Sequence, residues 1–139
     1  MSNTDEARIA GRLSVAYMMT LASEVLRRFP VDMLDLLLIT TIANFNQMAE
    51  AGTERRHAPE PVGISRNAVS RAINVPLETV RRRIAGLIDR KILVERPDGI
   101  VFTPDNPIGL GNNADLSALN LDLLRRLFRG LKAEGIDLD

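Results

Sequence analysis

Apolar positions recur at helical spacing over residues 5–29, where Ile9, Leu13, Tyr17 and Leu21 mark a stripe that Met18, Val25, Leu26 and Phe29 widen. Arg27 and Arg28 fall in the last turn of this predicted helix, where cations suit the helix dipole. Pro30 breaks the chain and, tolerated in a first turn, opens a second helix over 31–50. There Leu34, Leu37, Leu38, Ile42, Phe45 and Met48 wrap much of the circumference, which predicts a central, buried helix. Residues 51–63 carry Gly, two prolines and mixed charge, and read as a loop. Residues 65–73 read as a short helix capped by Ser65, with Ala68, Val69, Ala72 and Ile73 as its apolar stripe. Asn74 and Val75 make a brief turn, and Pro76 starts the next helix, 77–90.

After that helix the period changes. Ile92 to Glu95 and Ile100 to Thr103 read as two short strands around Pro-Asp-Gly, and Asp98-Gly99 is a tight-hairpin signal because glycine accepts positive φ. Residues 104–113 are loop. A last amphipathic helix over 115–134 has Leu116, Leu119, Leu123, Leu127 and Leu131 as its stripe. The pattern predicts a mainly α single domain, 1–139, with a two-stranded β-hairpin. Residues 5–50 and 115–134 supply core or dimerisation helices around a segment 64–104.

Composition sharpens this picture at three points. A hydrophobic fraction of 45% suffices for a core, and with no Trp and few aromatics that core is aliphatic, which suits helices. The absence of cysteine excludes disulfides and thiolate chemistry and fits a reducing, cytoplasmic location. The opening MSNTDEARIAGRL does not read as a secretory signal, and no apolar run approaches the roughly 18 residues of a membrane span. Net charge is zero, yet residues 65–96 hold eight basic and three acidic groups, an excess of five that the rest of the chain offsets. The chain is a basic island on an acidic body.

The centre of the island is Arg81-Arg82-Arg83. At about 100° per residue, Val80, Ile84, Leu87 and Ile88 share one quadrant, the core face. Arg82 lies almost opposite, in the company of Glu78, Thr79, Ala85 and Gly86, while Arg81 and Arg83 lie on the flanks. One central probe with two side arms is the layout that phosphate backbones on both sides of a groove require. Gly86 costs roughly 1 kcal/mol of helix stability relative to Ala. Two readings of it stay open: a shallow face for a duplex, or close packing of a neighbouring core element.

The order of short helix, tight turn, helix with an exposed polar N-terminal half, and hairpin is carried by SRNAVSRAINVPLETVRRRIAGLIDRKILVERPDGIVFTP, residues 65–104. This stretch, a little under a third of the chain, resembles the winged helix-turn-helix transcription regulators, broadly the MarR-like and IclR-like kind. The resemblance implies double-stranded DNA as partner, with 77–90 as recognition helix in the major groove and hairpin 92–103 as wing. Glu78, Thr79, Arg82 and Arg83 would face base edges. Arg81, Ser65, Arg66, Asn67 and Ser70 would meet phosphates, and Arg96 would stand at the wing tip. Pro76 departs from the Ser or Thr that often caps a recognition helix. Winged helices also serve as protein-docking modules, which is the alternative function. Such modules bind DNA in pairs, and the apolar faces of 5–29 and 115–134 predict a homodimer.

Other chemistries find little support. His57 is the only histidine, so neither a transition-metal site nor Ser-His-Asp catalysis is expected, and no enzyme activity or cofactor is assigned. Asp32 and Asp35 are explained by their place at a helix start. GLGNNA at 109–114 matches G-x-G-x-x-A but lacks the strands and acidic ribose partner of a dinucleotide fold, so it reads as loop. Met18 and Met19, with the central helix, could line a pocket for a small-molecule effector of unknown identity. Ordinary core packing accounts for them too.

Overall fold

The computed structural model describes residues 1–48 and 60–139; His57 and most of the predicted 51–63 loop lie outside them. Five α-helices and one hairpin follow in order: α1 (Asn3–Arg28), α2 (Met33–Met48), α3 (Arg66–Ile73), α4 (Leu77–Asp89), β1 (Leu93–Arg96), β2 (Gly99–Phe102) and α5 (Ala114–Ala133), with a 3-10 turn at Leu110–Asn112. The mainly helical class with a small antiparallel hairpin is therefore as the hydrophobic pattern predicts. Among the described residues no helix is long and apolar enough to cross a membrane.

The chain divides at Pro30 into two compact units, between the two helices that the sequence groups as 5–50. The first comprises Met1–Pro30 and Pro107–Asp139. In it α1 packs on α5, and a Cβ added at Gly130 would already touch the Leu13 side chain at 3.3 Å. The Tyr17 hydroxyl donates to Asn120 Oδ1 across the pair. Ser2 caps α1 through the Asp5 N–H, and Asn113 caps α5 through the Leu116 N–H. Arg27 and Arg28 both reach Glu24, whose carboxyl they hold below its ordinary range, the Arg27 hydrogen bond contributing most.

The second unit, Val31–Asn106, carries the basic island. Its helix α2 begins at Met33, so Pro30 stands outside the first turn rather than within it. The start is set by two aspartates that cap each other. The Asp35 N–H donates to Asp32 Oδ1 at 2.8 Å, and the Asp32 N–H lies 3.4 Å from Asp35 Oδ2. The expectation of a central, buried α2 holds for one side of the helix. Leu38, Ile39 and Ile42 are buried, whereas Met33, Leu37, Phe45 and Met48 are exposed. The buried stripe ends in a polar residue on each side, Asp35 and Asn46.

Helix α3 has only eight residues, too short to persist alone. Ser65 Oγ accepts the Ala68 N–H at 3.1 Å, and Val69 is fully buried, which stabilises by roughly 1.5–3 kcal/mol. Asn74 ends the helix in the left-handed region at φ 54°, which asparagine tolerates better than most residues. Val80, Ile84 and Leu87 are buried in α4, as the helical wheel requires.

The hairpin strands lie one residue from their predicted bounds, at Leu93–Arg96 and Gly99–Phe102, and the turn moves with them. Arg96 pairs with Gly99 and Leu93 with Phe102, so the two-residue loop is Pro97-Asp98, and Gly99 opens the second strand. The glycine is needed for a close approach instead. Its φ is 134°, and a Cβ there would lie 2.7 Å from the backbone of Ile64. Ile64 exchanges both backbone hydrogen bonds with Ile100, at 3.0 and 2.7 Å, and so covers part of the outer edge of β2. Asn46 extends the cover. Its Oδ1 accepts the Phe102 N–H at 2.9 Å, and its Nδ2 donates to the carbonyls of Val62 (2.5 Å) and Ile100 (3.2 Å).

Candidate nucleic-acid interface

Helix α4 starts at Pro76 with no side-chain cap, as the missing Ser or Thr predicts. Glu78 supplies an acid in its first turn. With the core face fixed by Val80, Ile84 and Leu87, the three arginines take different fates. Arg82 is exposed, and its side chain makes no hydrogen bond or ion pair among the described residues. Arg81 reaches back to Glu78 at 3.3 Å, an exposed i,i+3 pair of little energetic weight.

Arg83 departs from the expected outward arm. Its guanidinium turns to α2, where it pairs with Asp32 and lies 3.3 Å from Asp35 Oδ1. Arg90, two turns later, approaches the other oxygen of Asp35 at 3.9 Å. The Arg83 hydrogen bond, followed by the Asp35 backbone N–H, holds the Asp32 carboxyl below its ordinary range. Both carboxylates in turn raise the Arg83 guanidinium. Arg83 is thus removed from the set facing base edges: it is a clamp between the start of α2 and the middle of α4.

Ser70 is also reassigned. Its hydroxyl donates to the Val75 carbonyl at 2.6 Å while the Val75 N–H lies 3.3 Å from the Ser70 carbonyl, so it fastens the turn between α3 and α4. Glu78, Thr79 and Arg82 remain on the outward side of α4, with Thr79 partly covered. A Cβ at Gly86 would meet nothing within 4 Å, so close packing of a described element does not explain that glycine.

Five other predicted residues come together. Ser65, Arg66, Asn67, Arg81 and Arg96 line one open cleft where the start of α3, the side of α4 and the hairpin loop meet. Glu95 is only a sequence neighbour of Arg96 in the chain; the structure puts it in this cleft, gripped by Arg66 in a two-pronged pair, Nη1–Oε1 at 2.9 Å and Nη2–Oε2 at 3.2 Å. That bond lowers the Glu95 carboxyl and raises the Arg66 guanidinium. Arg96 has a weaker tether, Glu60 at 4.0 Å. Asp98, also at the cleft, is occupied by the Gly63 N–H at 2.8 Å.

Asp35 and Asn46 support the site from behind. A sign of both was present in the sequence: each sits in phase with the buried stripe of α2, four residues from Ile39 and Ile42 respectively. No protein-family model, curated protein or solved structure matches the chain.

Proposed function

We propose that the chain binds double-stranded DNA sequence-specifically as a transcription regulator, on a winged helix-turn-helix core. Helix α4 enters the major groove, and the β1–β2 hairpin is the wing. The observation that carries this reading is Arg82: an exposed, unpaired guanidinium at the centre of the outward face of a helix whose opposite face is locked into the core. Glu78 and Thr79 lie beside it, and the cleft of Ser65, Arg66, Asn67, Arg81 and Arg96 supplies donors suited to phosphates. The mechanism is binding alone. Cations displace counterions from the duplex, and the outward side chains of α4 add base preference.

A mobility-shift titration at two salt concentrations tests the reading. Duplex binding that weakens steeply with salt is expected; no binding at low salt would turn the reading to a protein-docking module on the same face. Arg82→Ala should weaken binding to the preferred sequence by ~1–3 kcal/mol and relax base preference. Its unfolding midpoint should match the parent's. Arg83→Ala should instead lower the unfolding midpoint, since Asp35 loses a cation at the start of α2. Equal loss on preferred and random duplexes for Arg82→Ala would make it a phosphate contact.

A second copy completes the proposal. Val15, Met18 and Met19 on α1 and Leu121 and Phe128 on α5 are exposed apolar groups that a homodimer would cover. The duplex read by such a pair would carry two half-sites about 34 Å apart, one turn of the double helix. Light scattering after size exclusion should give twice the 15.4 kDa chain mass. A monomer mass that holds across concentrations would remove the dimer.

A further inference from the structure

Resting on the DNA-binding reading, we propose that the cleft between α3, α4 and the hairpin is the seat of one backbone phosphate, and that in the free protein the Glu95 carboxylate occupies that seat as an internal substitute. The argument starts from the fork. A carboxylate and a phosphate present the same pair of oxygens to a guanidinium, and the Arg66–Glu95 pair has the two-pronged form that either anion adopts.

The two partners are unequally held. The Arg66 side chain keeps 30% of its exposure, whereas Glu95 keeps 56% and sits on a hairpin strand facing solvent. When an outside anion competes, the carboxylate is the group free to swing away, and the guanidinium stays where the fold puts it. The rest of the cleft is prepared for the exchange. Arg81 and Arg96 have only loose partners, at 3.3 and 4.0 Å. Ser65 uses a lone pair of its hydroxyl to cap α3, which leaves the hydroxyl proton for a phosphate oxygen. Once Glu95 leaves, the described lining is net cationic, because Arg66, Arg81 and Arg96 outnumber Asp98, whose carboxylate is turned to the Gly63 N–H.

The arrangement has a functional consequence. Every duplex, whatever its sequence, must first displace Glu95, so the carboxylate lowers sequence-independent affinity and leaves discrimination to the outward face of α4. Glu95 acts through Arg66 as a competitor for a phosphate.

The test uses the full chain and a labelled random-sequence duplex. Glu95→Gln, which keeps the size of the side chain, should tighten binding about three- to tenfold and steepen the log–log salt dependence by up to about 0.9, one further phosphate contact. Glu95→Ala should do the same, with thermal melts confirming that both variants are folded. The decisive arm is the Arg66→Ala background, where Glu95→Gln should change affinity by less than about twofold, because the competitor has lost its site. A gain that persists without Arg66 would mark a general charge effect and overturn the proposal. So would a Glu95→Gln variant that binds no more tightly than the parent while the parent binds duplex. If neither parent nor variant binds duplex at low salt, the DNA reading itself fails, and this inference with it.

Discussion

Replacing Gly99 by alanine is expected to destabilise the Val31–Asn106 unit by about 3 kcal/mol or more, the sum of backbone strain and steric overlap. Two costs act at one position. At φ 134° the residue occupies backbone space that L side chains rarely adopt. The new methyl would also sit 2.7 Å from the N, C and O of Ile64, atoms of main chain that cannot rotate away. Relief would require parting Ile64 from Ile100, which exchange two hydrogen bonds. The approach is tight from both sides: a Cβ at Gly63 would lie 2.7 Å from the Gly99 nitrogen. Urea titration followed by circular dichroism gives the measurement. A shift under about 1 kcal/mol would mean that the two segments are not held this closely in solution.

Asn46→Leu should cost about 2–4 kcal/mol, although the new side chain is apolar, similar in size and buried. Asn46 is 2% exposed and uses both ends of its amide. Leucine would leave the Phe102 N–H and the Val62 carbonyl without the partner each now has, while Ile100 keeps its bond to Ile64. The penalty is therefore one of stranded backbone groups rather than lost packing. The same urea titration reads it. A neutral or stabilising outcome, as hydrophobic substitution at a buried site would give if water replaced the amide, would show that this edge is hydrated.

The sequence carried the elements well where one periodicity ruled. The predicted 65–73 helix with its Ser65 cap is α3 to the residue, and the 77–90 helix ends one residue sooner, at Asp89. The core face of α4 was legible for the same reason: 100° steps fix direction without knowledge of any partner. Misreadings arose where a residue answers to a distant segment. Gly99 reads as turn chemistry, but its freedom serves contact with Ile64. Helical steps put Arg83 on a flank of α4, yet its role depends on Asp32 and Asp35, separated from it by 51 and 48 positions. Glu95 was legible as a charge beside Arg96 and not as the partner of Arg66, 29 positions away. In α2 the apolar residues spread over much of the circumference and leave the inward face unmarked. Only the polar ends of the true stripe, Asp35 and Asn46, distinguish the inward face from the outward one.

Asp35 links three positions whose fates cannot be separated. It is the third residue of the turn that starts α2, and its two oxygens face Arg83 and Arg90. In any set of descendants of this chain, loss of the acid at 35 would take from both arginines the carboxylate they share, leaving Arg83 to Asp32 alone of the pair it now bridges. Substitutions at 35, 83 and 90 are therefore expected to accumulate as a group, while position 82 drifts with whatever the outward face must recognise.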